Sequence, residues 1–210
     1  MIETLKTYVS GQVPVVTKIS RSHKGSPFLI LVSTLLSLRT KDETTEQAME
    51  RLMEKATTPE ELLKVPTEEL EQIIYPVGFF RNKARTLKDV SRTVMEKYKG
   101  RVPDSLDELL TIKGVGRKTA NLVVTEAYGR PGICVDTHVH RISNRMGIVS
   151  TSHPHNTEEQ LRKILPRRFW IVYNTLLVAF GRTTCQPLSP RCSRCPVIHL
   201  CKRVGVRQSR

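Results

Sequence analysis

Asp104-Ser-Leu-Asp-Glu-Leu-Leu110, then Thr111-Ile-Lys-Gly-Val-Gly116, then Arg117-Lys-Thr-Ala-Asn-Leu-Val-Val-Thr-Glu-Ala127 is the stretch that decides how this chain folds. Asp104 offers an N-cap, and Leu106, Leu109 and Leu110 give the first segment an apolar side, which predicts a helix that stops before the glycines. A second helix starts at about Arg117, because Ala120, Val123, Val124 and Ala127 form its buried stripe and Gly129 ends it. Between the two, Gly114 and Gly116 around Val115 let the backbone approach another molecule closely. The following helix opens with N–H groups and the positive end of its dipole, so Gly114, Val115, Gly116 and Arg117 form a candidate phosphate-binding turn. An ordinary interhelical turn uses the same glycines, and the turn alone does not separate the two readings.

Outward from this hairpin the helical signal continues. Thr58-Pro59-Glu60-Glu61 carries an N-cap, a proline at the first helical position and a capping-box glutamate, and Thr67-Glu68-Glu69 starts another helix soon after. Met49, Leu52, Met53 and Ala56 recur at helical spacing, as do Val139, Ile142 and Met146. Strand alternation is absent, so the fold is predicted to be all-α. The longest apolar run, Pro27 to Leu38, falls short of the roughly 20 residues a membrane helix needs and reads as a buried helix. No membrane partner is expected, and with no basic-apolar-small opening segment the protein is expected to be soluble, intracellular and monomeric.

The 210 residues include 34 basic and 20 acidic side chains, a net charge of +14, which points to a polyanionic partner. Four of the five cysteines crowd into the last 26 residues, an asymmetry that argues against a disulfide framework. Cys134 stands apart and reads as a small buried hydrophobe. Cys185, Cys192, Cys195 and Cys201 supply four thiolates within 17 residues, enough for a tetrahedral zinc or an iron–sulfur cubane, and spacing alone leaves that choice open. From Cys185 onward there is no acidic residue, while Arg191, Arg194, Lys202, Arg203, Arg207 and Arg210 are basic. The segment reads as a separate small element facing the polyanion, with Arg191 placed to meet a phosphate and the last few residues as a basic tail.

Two further residues have the chemistry of an active site. Lys118 falls in the first turn of the second hairpin helix, where the dipole disfavours an ammonium ion, so a neutral amine nucleophile becomes accessible. On local grounds alone a solvated surface charge is the favoured reading. Asp136, in Val135-Asp136-Thr137-His138-Val139-His140-Arg141, reads as a helix N-cap, and a carboxylate held there can also stabilise a developing positive charge and accept a proton. His138 and His140 are spaced i, i+2, which puts them on different faces of a helix and argues against a metal pair.

Leu110-x-x-x-Gly114-Val115-Gly116-Arg117-Lys118-Thr119-Ala120 resembles the helix-hairpin-helix element of the endonuclease III superfamily of DNA glycosylases, with Lys113 where the family commonly has proline. The cysteine spacing and the segment around Asp136 are similar to the same family's, so the resemblance runs from the apolar helix to Cys201. It implies two all-α domains, a helical barrel at 21–132 and a cluster domain made of 1–20 with 133–210, with Lys118 and Asp136 facing each other across the cleft between them. It implies that Lys118 is the Schiff-base lysine, that Asp136 is the essential aspartate and that the four cysteines hold a 4Fe-4S cluster. Gly78-Phe79-Phe80-Arg81-Asn82-Lys83-Ala84 is similar to a family loop, which makes Lys83 a phosphate contact and makes Phe79, with Arg39 at the matching position after the apolar helix, a candidate to fill the gap left by an extruded nucleotide.

The implied activity is removal of oxidised pyrimidines from double-stranded DNA, with strand cleavage by β-elimination at the resulting abasic site, in the cytoplasm at the nucleoid. Oxidised guanine and mismatched thymine are alternative substrates. Adenine excision is disfavoured, because Thr34 stands where that branch has glutamate and Lys118 is present. A non-catalytic DNA clamp or redox-sensing iron–sulfur protein, and a zinc-bearing DNA-binding module, are the rivals from other classes.

Overall fold

A computed structural model describes residues 1–11, 17 and 26–210. The expected domain boundary between residues 20 and 21 lies outside them. Among the described residues every regular element is helical. The chain divides into two units, one of Met1–Pro14 with Pro131–Arg210 and the other of Val15–Arg130.

The N-terminal helix is α1 (Ile2–Tyr8), and the middle unit is built on the apolar run, which forms α2 (Pro27–Ser37). Ser26 caps it and Pro27 presets its first turn. Nine of its eleven residues, Phe28 to Leu36, are buried. A helix apolar all round belongs inside a core, and fully burying a residue such as Leu31 or Leu36 contributes about 2 kcal/mol. No described helix is long and apolar enough to cross a membrane.

Around it stand α3 (Asp42–Met53), α4 (Pro59–Lys64), α5 (Thr67–Ile74) and α6 (Phe80–Tyr98). The capping box at α4 forms as its sequence requires: Thr58 Oγ1 accepts from the Glu61 amide at 3.2 Å, and Glu61 Oε2 accepts from the Thr58 amide at 3.2 Å. α6 turns Ala84, Leu87, Val90 and Val94 inward at helical spacing, and α4 and α5 pack on it.

The hairpin follows as α7 (Leu106–Leu110), the glycine turn and α8 (Arg117–Leu122), which continues as a π-helical turn over Val123–Ala127. The N-cap of α7 is Ser105, whose hydroxyl accepts from the Glu108 amide at 3.2 Å. The sequence reading gave that duty to Asp104. Its carboxylate instead pairs with Arg130, a cation from beyond the hairpin that short-range reading does not see.

The other unit holds α9 (Thr137–Met146), α10 (Pro154–Ile164) and α11 (Trp170–Thr183), with α1 packed on α11. Leu5 and Val9 join Val139, Ile142, Leu177 and Phe180 in a second core. Gly181 permits the crossing of α9 and α11, since a Cβ there would lie 2.3 Å from His138 Nδ1. Cys134 is buried, as its apolar setting suggested.

Candidate nucleic-acid interface and active site

The hairpin turn is anchored from below and open above. Ile112 and Val115 are buried, while Lys113, Gly114 and Gly116 are exposed. The Val115 amide donates to Ile112 O at 3.0 Å, closing the turn. Gly114 takes φ +93°, and a Cβ there would meet Thr86 Cγ2 at 2.7 Å, so the position requires glycine twice over. Gly116, the N-cap of α8, sits in open space and brings no side-chain cap to the first turn. That turn carries Arg117 and half-buried Lys118. The arrangement presents backbone donors and cations together at a helix start, where an anion is favoured.

Arg39 and Phe79, distant in sequence, come together. Both are exposed, Phe79 by 62 %, so neither belongs to the core. The Arg39 guanidinium lies 5.8 Å from the centre of the Phe79 ring. Both residues adopt left-handed backbone, with φ 53° and 59°. Non-glycine residues held there cost about 1–3 kcal/mol each and persist where the surroundings over-determine them. Sequence reasoning had no signal for this pairing or for the strain.

Lys83 is turned inward, against the expectation of a phosphate contact. It is 9 % exposed, and its ammonium donates to Leu36 O at 2.7 Å, Leu38 O at 2.5 Å and Thr40 Oγ1 at 3.0 Å. Those three acceptors use all the donors an ammonium has. Burial pushes it down to about 8.

In the other unit Asp136 is the N-cap of α9. Its Oδ1 accepts from the His138 amide at 2.9 Å and the Val139 amide at 2.8 Å, and the carboxylate is half-buried. The two histidines diverge as their spacing required: His138 Nδ1 lies 3.2 Å from Arg141 Nη2, and His140 Nδ1 lies 2.6 Å from Thr157 Oγ1. Thr34 is buried in the middle unit and donates to Ile30 O at 2.8 Å, a bond within its own helix.

Cys185, Cys192, Cys195 and Cys201 line one cavity, together with Arg145 and Arg191. They surround it without three of them converging as ligands of a single ion, among the described residues. Buried Arg145 donates to Cys185 Sγ at 3.4 Å and fixes the loop through Gln186 O and Pro187 O, each at 2.8 Å. The Arg203 amide donates to Cys201 Sγ at 3.4 Å. Burial pushes the Cys185 and Cys195 thiols up. The C-terminal residues do not trail away as a basic tail: the Arg210 amide donates to Pro190 O at 2.8 Å, its carbonyl accepts from the Ser193 amide at 3.0 Å, and its side chain reaches Gln186 Oε1 at 2.9 Å. Backbone bonds of this kind are invisible in composition.

A helical chain with an anchored glycine hairpin and a cysteine-lined cavity near its C-terminus is the architecture to which comparison gives a class. Residues 32–167 match the HhH-GPD superfamily of base excision DNA repair proteins. Over 189 residues the chain is 48 % identical to endonuclease III of Thermotoga maritima, covering 90 % of this chain and 89 % of that one. It is 42 % identical over 179 residues to endonuclease III of Bacillus subtilis, covering 85 % and 82 %. Among solved structures, a trapped endonuclease III–DNA covalent intermediate matches with a TM-score of 0.81 at 42 % identity, covering 85 % of this chain and 84 % of that chain. A thermostable thymine-DNA glycosylase matches with a TM-score of 0.80 at 25 % identity over 96 % of each chain. The chain belongs to the HhH-GPD superfamily and, within it, to the endonuclease III family.

Proposed function

We propose that this chain is a base-excision-repair DNA glycosylase with abasic-site lyase activity, acting on oxidised pyrimidines in double-stranded DNA. The observation that carries the reading is Lys118 in the first turn of α8, directly after a Gly-Val-Gly turn held by buried Ile112 and Val115. The turn grips a strand through its phosphate without reading sequence, and so sets the sugar near the amine. The Lys118 amine attacks C1′, the bond from C1′ to the base breaks, and the base leaves with the electron pair and takes up a proton. Ring opening gives the iminium, loss of a C2′ proton follows, and the bond from C3′ to its oxygen breaks to release the 3′ phosphate. Asp136 accepts a proton from the amine and stabilises the developing positive charge. Arg39 and Phe79 fill the space left in the stack, since extrusion costs a few kcal/mol. In this reading the chain comprises a barrel domain and a cluster domain.

A 4Fe-4S cluster fits the four cysteines. The four line one shared cavity, and N–H donors from Arg145 and Arg203 aim at two of the sulfurs, as anionic ligands require. Binding iron replaces the protons that burial would otherwise keep on the thiols. Cys185, Cys192, Cys195 and Cys201 would hold it, and the bound group would brace the basic segment that follows Cys185. Arg191, half-buried at this cavity, is the phosphate contact it would support.

Borohydride trapping on a duplex with one thymine glycol tests the activity. An adduct that disappears in Lys118→Ala is expected; no adduct on this duplex or on an abasic one would overturn the lyase reading and promote the DNA clamp. About four irons and a broad visible band per chain are expected of the purified protein, whereas one zinc would overturn the cluster.

A further inference from the structure

We propose that Thr40 and Lys83 lock the Arg39 loop and the Phe79 loop into a single rigid probe, so that both exposed side chains enter a duplex as one body. The proposal rests on the reading of Arg39 and Phe79 as gap-filling residues.

The loop after α2 and the loop before α6 meet at one hydroxyl. Thr40 Oγ1 accepts from the Gly78 amide at 3.2 Å and from Lys83 Nζ at 3.0 Å, and donates to Leu38 O at 3.3 Å. Lys83 holds the other side of the same joint, because its ammonium also binds Leu36 O and Leu38 O while its amide donates to Phe79 O at 3.0 Å. One residue thus reaches the carbonyl before Arg39 with its side chain and the carbonyl of Phe79 with its backbone. Gly78 completes the contact: a Cβ there would lie 2.7 Å from Arg39 O, so only glycine lets the two backbones come this close.

These bonds account for the left-handed backbone at both tips. A strained residue relaxes unless its neighbours fix it on both sides, and here Leu38 and Thr40 are held on either side of Arg39, while Gly78 and α6 hold Phe79. A loop that relaxed would keep its side chain and lose its aim. Lys83 and Thr40 are therefore positioning residues, acting on extrusion and not on the reacting sugar.

The test compares a duplex carrying one thymine glycol with a single-stranded oligonucleotide carrying an abasic site, whose sugar is reachable without extrusion. Single-turnover excision is measured on the first and borohydride-trapped adduct on the second, for wild type, Lys83→Met, Thr40→Val, Thr40→Ser, Arg39→Ala and Phe79→Ala. Misplacement by about 1 Å costs up to about 100-fold, so Lys83→Met and Thr40→Val are expected to lose about 10- to 100-fold on the duplex and less than about 3-fold on the single strand. Thr40→Ser, which keeps the hydroxyl, is expected to restore excision. Adding Lys83→Met to a variant that carries both Arg39→Ala and Phe79→Ala is expected to slow it no further, because the clamp then has nothing left to aim.

Wild-type excision by folded Lys83→Met and Thr40→Val, beside impaired Arg39→Ala and Phe79→Ala, would overturn the proposal alone. Equal losses on both substrates, or a further loss when Lys83→Met is added to the variant lacking both side chains, would overturn it too. Unimpaired Arg39→Ala and Phe79→Ala would overturn the gap-filling reading and the clamp with it. If melting shows Lys83→Met unfolded, the Thr40→Val and Thr40→Ser pair decides.

Discussion

Replacing Asp136 by asparagine and by alanine separates two duties carried by one carboxylate. Its Oδ1 takes the amides of His138 and Val139 at 2.9 and 2.8 Å, which satisfies two of the donors left open at the start of α9. Asparagine keeps a carbonyl oxygen on the same stem and caps about as well, so Asp136→Asn loses chiefly the charge at the helix start, worth about 0.3–1 kcal/mol. Alanine loses the cap as well, about 1 kcal/mol more. For a chain of this size each kcal/mol moves the melting temperature by about 2–4 °C. Melting is therefore expected to rank wild type, asparagine and alanine in that order, with the larger step at alanine. Excision behaves differently. If the carboxylate accepts the proton from Lys118 and steadies the developing charge, both variants lose about 10²–10⁴-fold in single-turnover rate, with little to separate them. Wild-type excision by Asp136→Asn would refute the catalytic role and leave Asp136 as a cap. Equal melting of the asparagine and alanine variants would refute the capping argument.

The two hairpin glycines are expected to differ in kind: Gly114→Ala meets Thr86 at 2.7 Å with φ at +93° and destabilises by about 1–3 kcal/mol, whereas Gly116→Ala enters open space, leaves the urea midpoint within about 0.5 kcal/mol and weakens DNA binding. A destabilised Gly116→Ala with intact DNA binding would contradict this division. Gly78→Ala, forced against Arg39 O at 2.7 Å, is expected to part the two probe loops and slow duplex excision about 10-fold or more, read in single-turnover assays. For Lys83, burial sets the folded value at about 8 against 10.5 unfolded, so between those limits the unfolded chain binds more protons and stability rises with pH. Lys83 is thus expected to cost stability below about 8 and to recover it towards 10.5, so the urea midpoint of wild type should gain on that of Lys83→Met from pH 7 to pH 10. A constant difference would refute the shift.

Much of the local structure was legible because its causes lie within a few residues. The Thr58–Glu61 box, the start of α8 at Arg117 and the burial of Val139, Ile142 and Met146 follow from capping chemistry and helical period. The misses share one physical origin. Asp104 pairs with Arg130, 26 residues away, and leaves the cap to Ser105. Lys83 turned inward because three oxygens from the end of α2 converge on it, and the C-terminal residues fold back on backbone bonds to Pro190 and Ser193.

By itself the sequence determined the helical class, the hairpin, the four-cysteine spacing and the residue types at the candidate site, since each rests on side-chain chemistry at short range. Tertiary structure alone decided which of the cations stay outside and which are consumed within, and that Arg39 and Phe79 meet as a pair. Those outcomes depend on which backbone oxygens come within about 3 Å of a donor, and that distance is set by the packing of whole helices rather than by the order of residues along any one of them.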